Sequence, residues 1–125
     1  MSYWTFRVYI NGKGANEIEG WLGRLSPKLR AKIRTRFSYL AATRIWIKKY
    51  AEKLKGYENI IEIKITYQNI QYRPLGCCGP RLREFTLLIP AIEKGSEFEP
   101  KYAPITAKNR CTLIHQDRRY VGEYY

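Results

Sequence analysis

The sequence predicts an α+β domain in which an N-terminal strand and two helices pack on an antiparallel sheet, followed by a β-meander and a short terminal helix. Three observations predict it. Residues 3–10 alternate with a period of two, residues 16–42 carry apolar residues at helical spacing behind two capping signals, and residues 61–91 return to strand patterning. With 125 residues, 45% of them hydrophobic, the chain can build one core but not two independent ones, so 1–125 reads as a single domain.

The first strand, Tyr3 to Ile10, sets Trp4, Phe6, Val8 and Ile10 against Tyr3, Thr5, Arg7 and Tyr9, and Asn11-Gly12-Lys13-Gly14 ends it in a turn. Asn16 is placed to cap a helix with Glu19 returning the bond, and Ile18, Trp21, Leu22 and Leu25 form its apolar face. Ser26-Pro27 starts a second helix, an oxygen acceptor followed by a proline whose missing N–H costs nothing there. Its stripe is Leu29, Ile33, Phe37 and Leu40, ending near Ala42. Thr43 to Asn59 reads as basic and irregular, with a helical turn around Tyr50 to Leu54.

Beyond Gly56, Ile61, Ile63 and Ile65 alternate with Glu62, Lys64 and Thr66. Gln68-Asn69 is a turn signal, Ile70 to Leu75 the returning strand, Gly76 to Pro80 a second turn, and Arg83 to Ala91 a third strand whose run Phe85–Ile89 fits a strand covered on both faces. Pro90 marks a bulge or the end of pairing. A helix starts at Pro104 and runs to about Ile114, and 115–125 reads as a polar, mobile tail. With the early helices covering the Ile61/Ile63/Ile65 face, Glu62, Lys64 and Thr66 are expected on a partly open face, joined by Arg73 if the hairpin register allows.

Charge narrows the function. Lys+Arg 23 against Asp+Glu 11 gives +12, and eleven of the basic residues lie between Arg24 and Lys55 with a single acid, Glu52. On the second helix Lys28, Lys32 and Arg36 flank one side of the apolar stripe and Arg30 and Arg34 the other; Lys48, Lys49 and Lys53 follow. A one-signed ridge of this kind suits nucleic acid, bound through its phosphates in a salt-dependent and sequence-blind way. The apolar content excludes a disordered basic tail, and no apolar run reaches the length of a membrane span. Residues 1–10 show no secretory h-region, so a cytoplasmic protein is expected. Three cysteines, two of them adjacent, make neither a disulfide framework nor a C-x-x-C pair; they read as reduced thiols, with no metal and no cofactor. His115, the only histidine, falls past the expected helix and reads as a solvated residue rather than a general acid.

The stretch EKLKGYENIIEIKITYQNIQYRPLG, then EFTLLIPAIEKGSEFEPKYAP, then A-x-x-R at Ala107–Arg110 resembles the RelE/ParE superfamily of type II toxins, in particular its HigB-like, phage-derived branch; the likeness spans residues 50–112. The resemblance implies a RelE/ParE-like α+β fold, a toxin of a toxin–antitoxin system that inhibits translation as a ribosome-dependent mRNA endoribonuclease needing no metal, and as partners a cognate antitoxin bearing a helix-turn-helix, the ribosome and mRNA. It also implies a site. Lys64 matches the basic residue of an E-[IL]-[KR] strand, Arg73 the arginine of Y-R and Lys94 the basic residue after the last core strand. In those positions Arg73 would stabilise the phosphorane with Lys94 beside it, and Lys64 would serve as a cation or base. Two departures weaken proton transfer: Glu62 stands where some relatives carry lysine, and Pro90 where HigB proteins often carry histidine. The alternative is a catalytically weak or inactive module of the same fold that binds RNA, the ribosome or another partner.

Overall fold

A computed structural model describes residues 2–125. The elements are β1 (Thr5–Tyr9), α1 (Glu17–Arg24), α2 (Pro27–Ala42), β2 (Ala51–Lys53), β3 (Ile61–Ile63), β4 (Ile65–Tyr67), β5 (Ile70–Tyr72), β6 (Leu75–Cys78), β7 (Glu84–Ile89), β8 (Ile92–Lys94), β9 (Glu97–Glu99), α3 (Ala103–Gln116) and β10 (Val121–Glu123), the last preceded by a 3-10 turn at Arg118–Tyr120. The class is α+β, with two sheets. The larger is ordered β10-β1-β7-β6-β3-β2, antiparallel except for the parallel pair β1 and β7; the smaller, β4-β5-β8-β9, is antiparallel throughout.

Both early helices start as their capping residues dictate. Asn16 accepts from the Glu19 amide at 3.0 Å and Ser26 from the Leu29 amide at 3.3 Å, with Pro27 in the first turn of α2. The stripe Leu29, Ile33, Phe37 and Leu40 then meets Phe6 and Val8 of β1, Phe85 and Leu87 of β7, and Ile63. The opposite face of the same sheet is covered as well: Leu88 of β7, Leu75 and Cys77 of β6 and Tyr9 of β1 pack with Ala103, Ala107, Cys111 and Ile114 of α3. Two covered faces explain why β7 is buried along its whole length, as its apolar run suggests. At the far end of α2 the indole N–H groups of Trp4 and Trp46 donate to the Thr43 carbonyl, each at 3.0 Å, satisfying an acceptor the helix leaves free.

Several expectations are corrected. The Ile61-to-Ile65 alternation is not one strand: Glu62 lies in β3, Thr66 in β4 of the other sheet, and Lys64 at the crossover. Ile70–Leu75 divides in the same way, because Arg73-Pro74 carries the chain from β5 to β6. The Gln68-Asn69 turn is present, both residues having positive φ (48° and 65°), which suits a tight hairpin between β4 and β5. Of the expected turn Gly76 to Pro80, residues 76–78 are strand, continuing from Leu75 in β6, and Tyr50–Leu54 contains the edge strand β2 rather than a helical turn. The β8–β9 hairpin lies outside the expected meander. Segment 115–125 is built into the fold instead of trailing from it: His115 belongs to α3, and β10 pairs with β1 through Val8↔Gly122. Gly122 is required there, since a Cβ would fall 2.5 Å from the Ile10 side chain. No helix among the described residues is long and apolar enough to cross a membrane.

Candidate nucleic-acid interface

The residues singled out in the sequence separate into three environments. Arg73 lies where β5 leaves the smaller sheet and is only 8% exposed. One terminal nitrogen donates to Gln71 Oε1 at 2.7 Å and the other to the Tyr72 carbonyl at 3.0 Å. Its Nε–H finds no hydrogen-bond acceptor; the nearest carboxylates, Glu62 and Glu93, stand 3.5 and 3.6 Å away. Lys64 is close by and donates to Glu52 at 2.5 Å, while Lys48 lies 3.8 Å from the same carboxylate. The structure therefore brings Arg73 and Lys64 into one network, in which three carboxylates neutralise them.

Lys94 is not part of that network. Glu93 faces Arg73, so strand alternation turns Lys94 to the other side of β8, where it pairs with Glu99 at 3.1 Å. Proton affinities within the network follow from burial and neighbours. Burial and the nearby Glu93 push Glu62 above the ordinary carboxyl range, whereas the hydrogen bond from Lys64 holds Glu52 below it.

The basic helix is largely occupied by structural tasks. Arg30 donates to the Leu22 and Leu25 carbonyls at the end of α1, at 2.9 and 3.0 Å. Arg34 holds the C-terminus through the Tyr124 hydroxyl and the Tyr125 carbonyl, at 3.0 and 2.9 Å. Arg36 donates to the Lys64 carbonyl and lies over the Tyr50 ring, 4.2 Å from its centroid. Lys32 reaches the Thr66 carbonyl at 2.6 Å. These contacts tie α1, α2, the β3–β4 crossover and the terminal strand together. Lys28 remains exposed on α2, with Lys48, Lys49 and Lys53 exposed after it.

Lys53 borders a cleft of about 850 Å³ between the C-terminal half of α3 and the β2–β3 edge of the larger sheet. Lys53, Tyr57, Glu58, Asn59 and Cys78 line the sheet side; Lys108, Cys111, Thr112 and His115 line the helix side. Residues 108, 111, 112 and 115 share one helical face. The spacing was open to reading from sequence, but a helix ending at Ile114 excludes His115 and hides the pattern. His115 Nδ1 lies 2.7 Å from the Cys111 carbonyl oxygen and 3.8 Å from the Cys111 thiol. The neighbouring Cys77 thiol, aided by His115, brings the Cys111 thiol down to about 7, whereas Cys77, facing Cys111 and buried, is pushed up.

Ion pairs sharpen the contrast between buried and available charge. Eight of the 23 basic residues are paired with acids among the described residues (Arg7, Lys48, Lys64, Arg73, Lys94, Arg110, Arg118 and Arg119), and these engage eight of the 11 acids. The excess is thus left to exposed lysines such as Lys28, Lys49, Lys53, Lys55, Lys101 and Lys108. Arg110, the arginine of A-x-x-R, bridges Glu17 at 2.9 Å and the Leu88 carbonyl at 2.8 Å, which locks α3 to α1 and β7. Comparison with protein-family models, with curated proteins and with solved structures gives no match.

Proposed function

We propose that this protein binds single-stranded RNA in the cleft between α3 and the β2–β3 edge, as a type II toxin of the RelE/ParE superfamily, HigB-like branch, that engages mRNA on the ribosome and blocks translation. The observation that carries the RNA reading is the presence of Lys53 and Lys108 on the two walls of an 850 Å³ cleft that Tyr57 and Asn59 also line, with Glu58 as its one carboxylate and eight of the chain's 11 acids held in ion pairs elsewhere. Two lysines on opposite walls bracket a phosphate, and a half-buried tyrosine offers a face for a base. The toxin reading rests on the motif resemblance. Its partners would be a cognate antitoxin and the ribosome.

A second reading, cleavage of the bound mRNA, is favoured by the Glu62–Arg73 pair. As the 2′-oxygen bonds to phosphorus its proton passes to the Glu62 carboxylate, Arg73 offsets the charge of the phosphorane, and the P–O5′ bond breaks with the 5′-oxygen taking a proton from water or from the newly protonated Glu62, leaving a 2′,3′-cyclic phosphate. Phosphate would reach Arg73 by displacing Glu93, its more exposed carboxylate partner.

Binding is tested by titrating a labelled RNA oligonucleotide over a range of salt. Affinity should fall steeply with salt and more weakly in Lys53→Ala/Lys108→Ala; equal affinity in the double variant removes the cleft from the reading. Induced expression followed by mapping of transcript 5′ ends tests function. Growth arrest with new 5′ ends that vanish in Glu62→Gln supports cleavage, arrest without new ends supports binding alone, and normal growth with unaltered translation overturns the toxin assignment.

A further inference from the structure

At the wall of the same cleft, Cys111 and His115 meet the buried Cys77, and the three side chains have the chemistry and spacing of a metal site. Cys77 comes from β6, and Cys111 and His115 from successive turns of α3. One ligand atom from each lies within 4.8 Å of the other two. A tetrahedral zinc ion with Zn–S near 2.3 Å and Zn–N near 2.0 Å sets sulfur and nitrogen about 3.6 Å apart and two sulfurs about 3.8 Å apart. The Cys111 Sγ to His115 Nδ1 separation is 3.8 Å. Cys77 Sγ lies within 4.8 Å of both, so closing the triangle draws it in by at most about 1 Å.

Three features of the fold prepare this arrangement. The i, i+4 spacing on α3 puts the thiol and imidazole on one face. Strand alternation on β6 turns Cys77 inward to meet them; the neighbouring Cys78 is exposed and lines the same cleft, but stands outside the group of three ligand atoms. Gly79 then passes directly beneath the imidazole: a Cβ there would fall 2.4 Å from His115 Nε2, and φ is +106°, so a glycine is what admits the ring. When Nδ1 turns to a metal, the Cys111 carbonyl keeps its place in the helical ladder as acceptor for the amide of residue 115.

We propose that Cys77, Cys111 and His115 form a zinc site that clamps α3 to β6. Two thiolates and an imidazole select a thiophilic divalent ion over magnesium or calcium. Cys111 and His115 line the cleft, so the fourth position faces it and is filled by water or another small donor. The site stands on these three residues alone and holds whether or not the cleft takes RNA.

The test uses the full chain, reduced with a phosphine and free of chelator, titrated with Co2+ and then Zn2+. Wild type is expected to bind one equivalent of Co2+, with intense tetrahedral d–d bands and sulfur-to-cobalt charge transfer, and Zn2+ should displace it. His115→Ala, at an exposed position, and Cys111→Ser should each weaken Zn2+ binding at least 10-fold, since loss even of a supporting partner costs about 10–100-fold. Cys78→Ser should bind as wild type. Circular dichroism confirms that each variant is folded. The proposal is overturned by a weak octahedral Co2+ spectrum, by undiminished Zn2+ affinity in folded His115→Ala, by loss in Cys78→Ser equal to that in Cys111→Ser, or by a Cys77–Cys111 disulfide that persists under reduction.

Discussion

Replacing Arg73 with methionine separates a structural ion network from an idle cation. Arg73 is 8% exposed, and its removal leaves Glu62 and Glu93 facing each other with no guanidinium between them. Breaking a buried pair by deleting one partner costs about 3–5 kcal/mol. Glu93 keeps some contact with water, its side chain being 30% exposed, so the lower end applies: about 3 kcal/mol at neutral pH, a fall in the urea midpoint of roughly 1–2 M. The pH dependence adds a signature. Glu62 is already raised above the ordinary carboxyl range by burial and then by Glu93. A carboxyl raised in the folded state gives stability that is complete below its unfolded value and is lost as pH rises through the folded one. Loss of Arg73 raises Glu62 further, so the gap between wild type and variant should be small at about pH 4 and widen toward pH 7 and above. Urea unfolding at several pH values measures it. A loss under about 1 kcal/mol, or the same loss at acid and neutral pH, refutes the view that Arg73 holds two carboxylates together.

Glu84 gives the opposite sign. Burial raises it, but hydrogen bonds from Arg118 and Arg7 outweigh this and hold it low, so its contribution is present above the ordinary carboxyl range and fades as pH falls through the lowered value; Glu84→Gln should cost about 1–3 kcal/mol at neutral pH and flatten the acid limb of a thermal-melt series. Gly79→Ala should cost about 1–3 kcal/mol from its positive φ and expel the His115 ring, seen as a changed imidazole environment by NMR; unchanged His115 resonances would contradict the close approach. Arg30→Ala and Lys108→Ala should diverge: the first lowers the melting temperature and leaves RNA affinity alone, while the second keeps stability and lowers the salt slope by about 0.7. Equal effects on RNA affinity would restore the α2 ridge as the binding surface.

The α+β class and the elements up to Ala42 were legible because their signals are local: alternation in β1, the Asn16 and Ser26 caps, and a clean 3.6-residue stripe. The same holds for β7, whose unbroken apolar run reflects helices on both faces. What the sequence hid depends on distant partners. Nothing local divides Ile61–Ile65 between two sheets; the division at Lys64 follows from Tyr50 taking the Lys64 amide and Arg36 its carbonyl. Pro74 was a local warning that Ile70–Leu75 is broken, since proline interrupts pairing.

At the site, positive charge was legible and its division between tasks was not. Arg30, Arg34 and Arg36 read as a ridge because a sequence does not reveal the carbonyls they satisfy at the end of α1, at Lys64 and at the C-terminus. Lys53 was on the expected surface; Lys108 lay within the expected helix but with nothing local to show which element its face meets, and His115 was missed because the helix runs two residues past Ile114. The cysteines illustrate the same limit. Thirty-three residues lie between Cys77 and Cys111, too many for a short metal-binding motif, and only the packing of α3 on β6 makes them neighbours.

The most direct test of the RNA cleft is a residue-by-residue NMR map of the protein titrated with a short single-stranded RNA. Shifts centred on Lys53, Tyr57, Asn59, Lys108 and Thr112, vanishing at high salt, are the predicted result. Shifts confined to the exposed face of α2 around Lys28 and Lys32, or none at all, would contradict it.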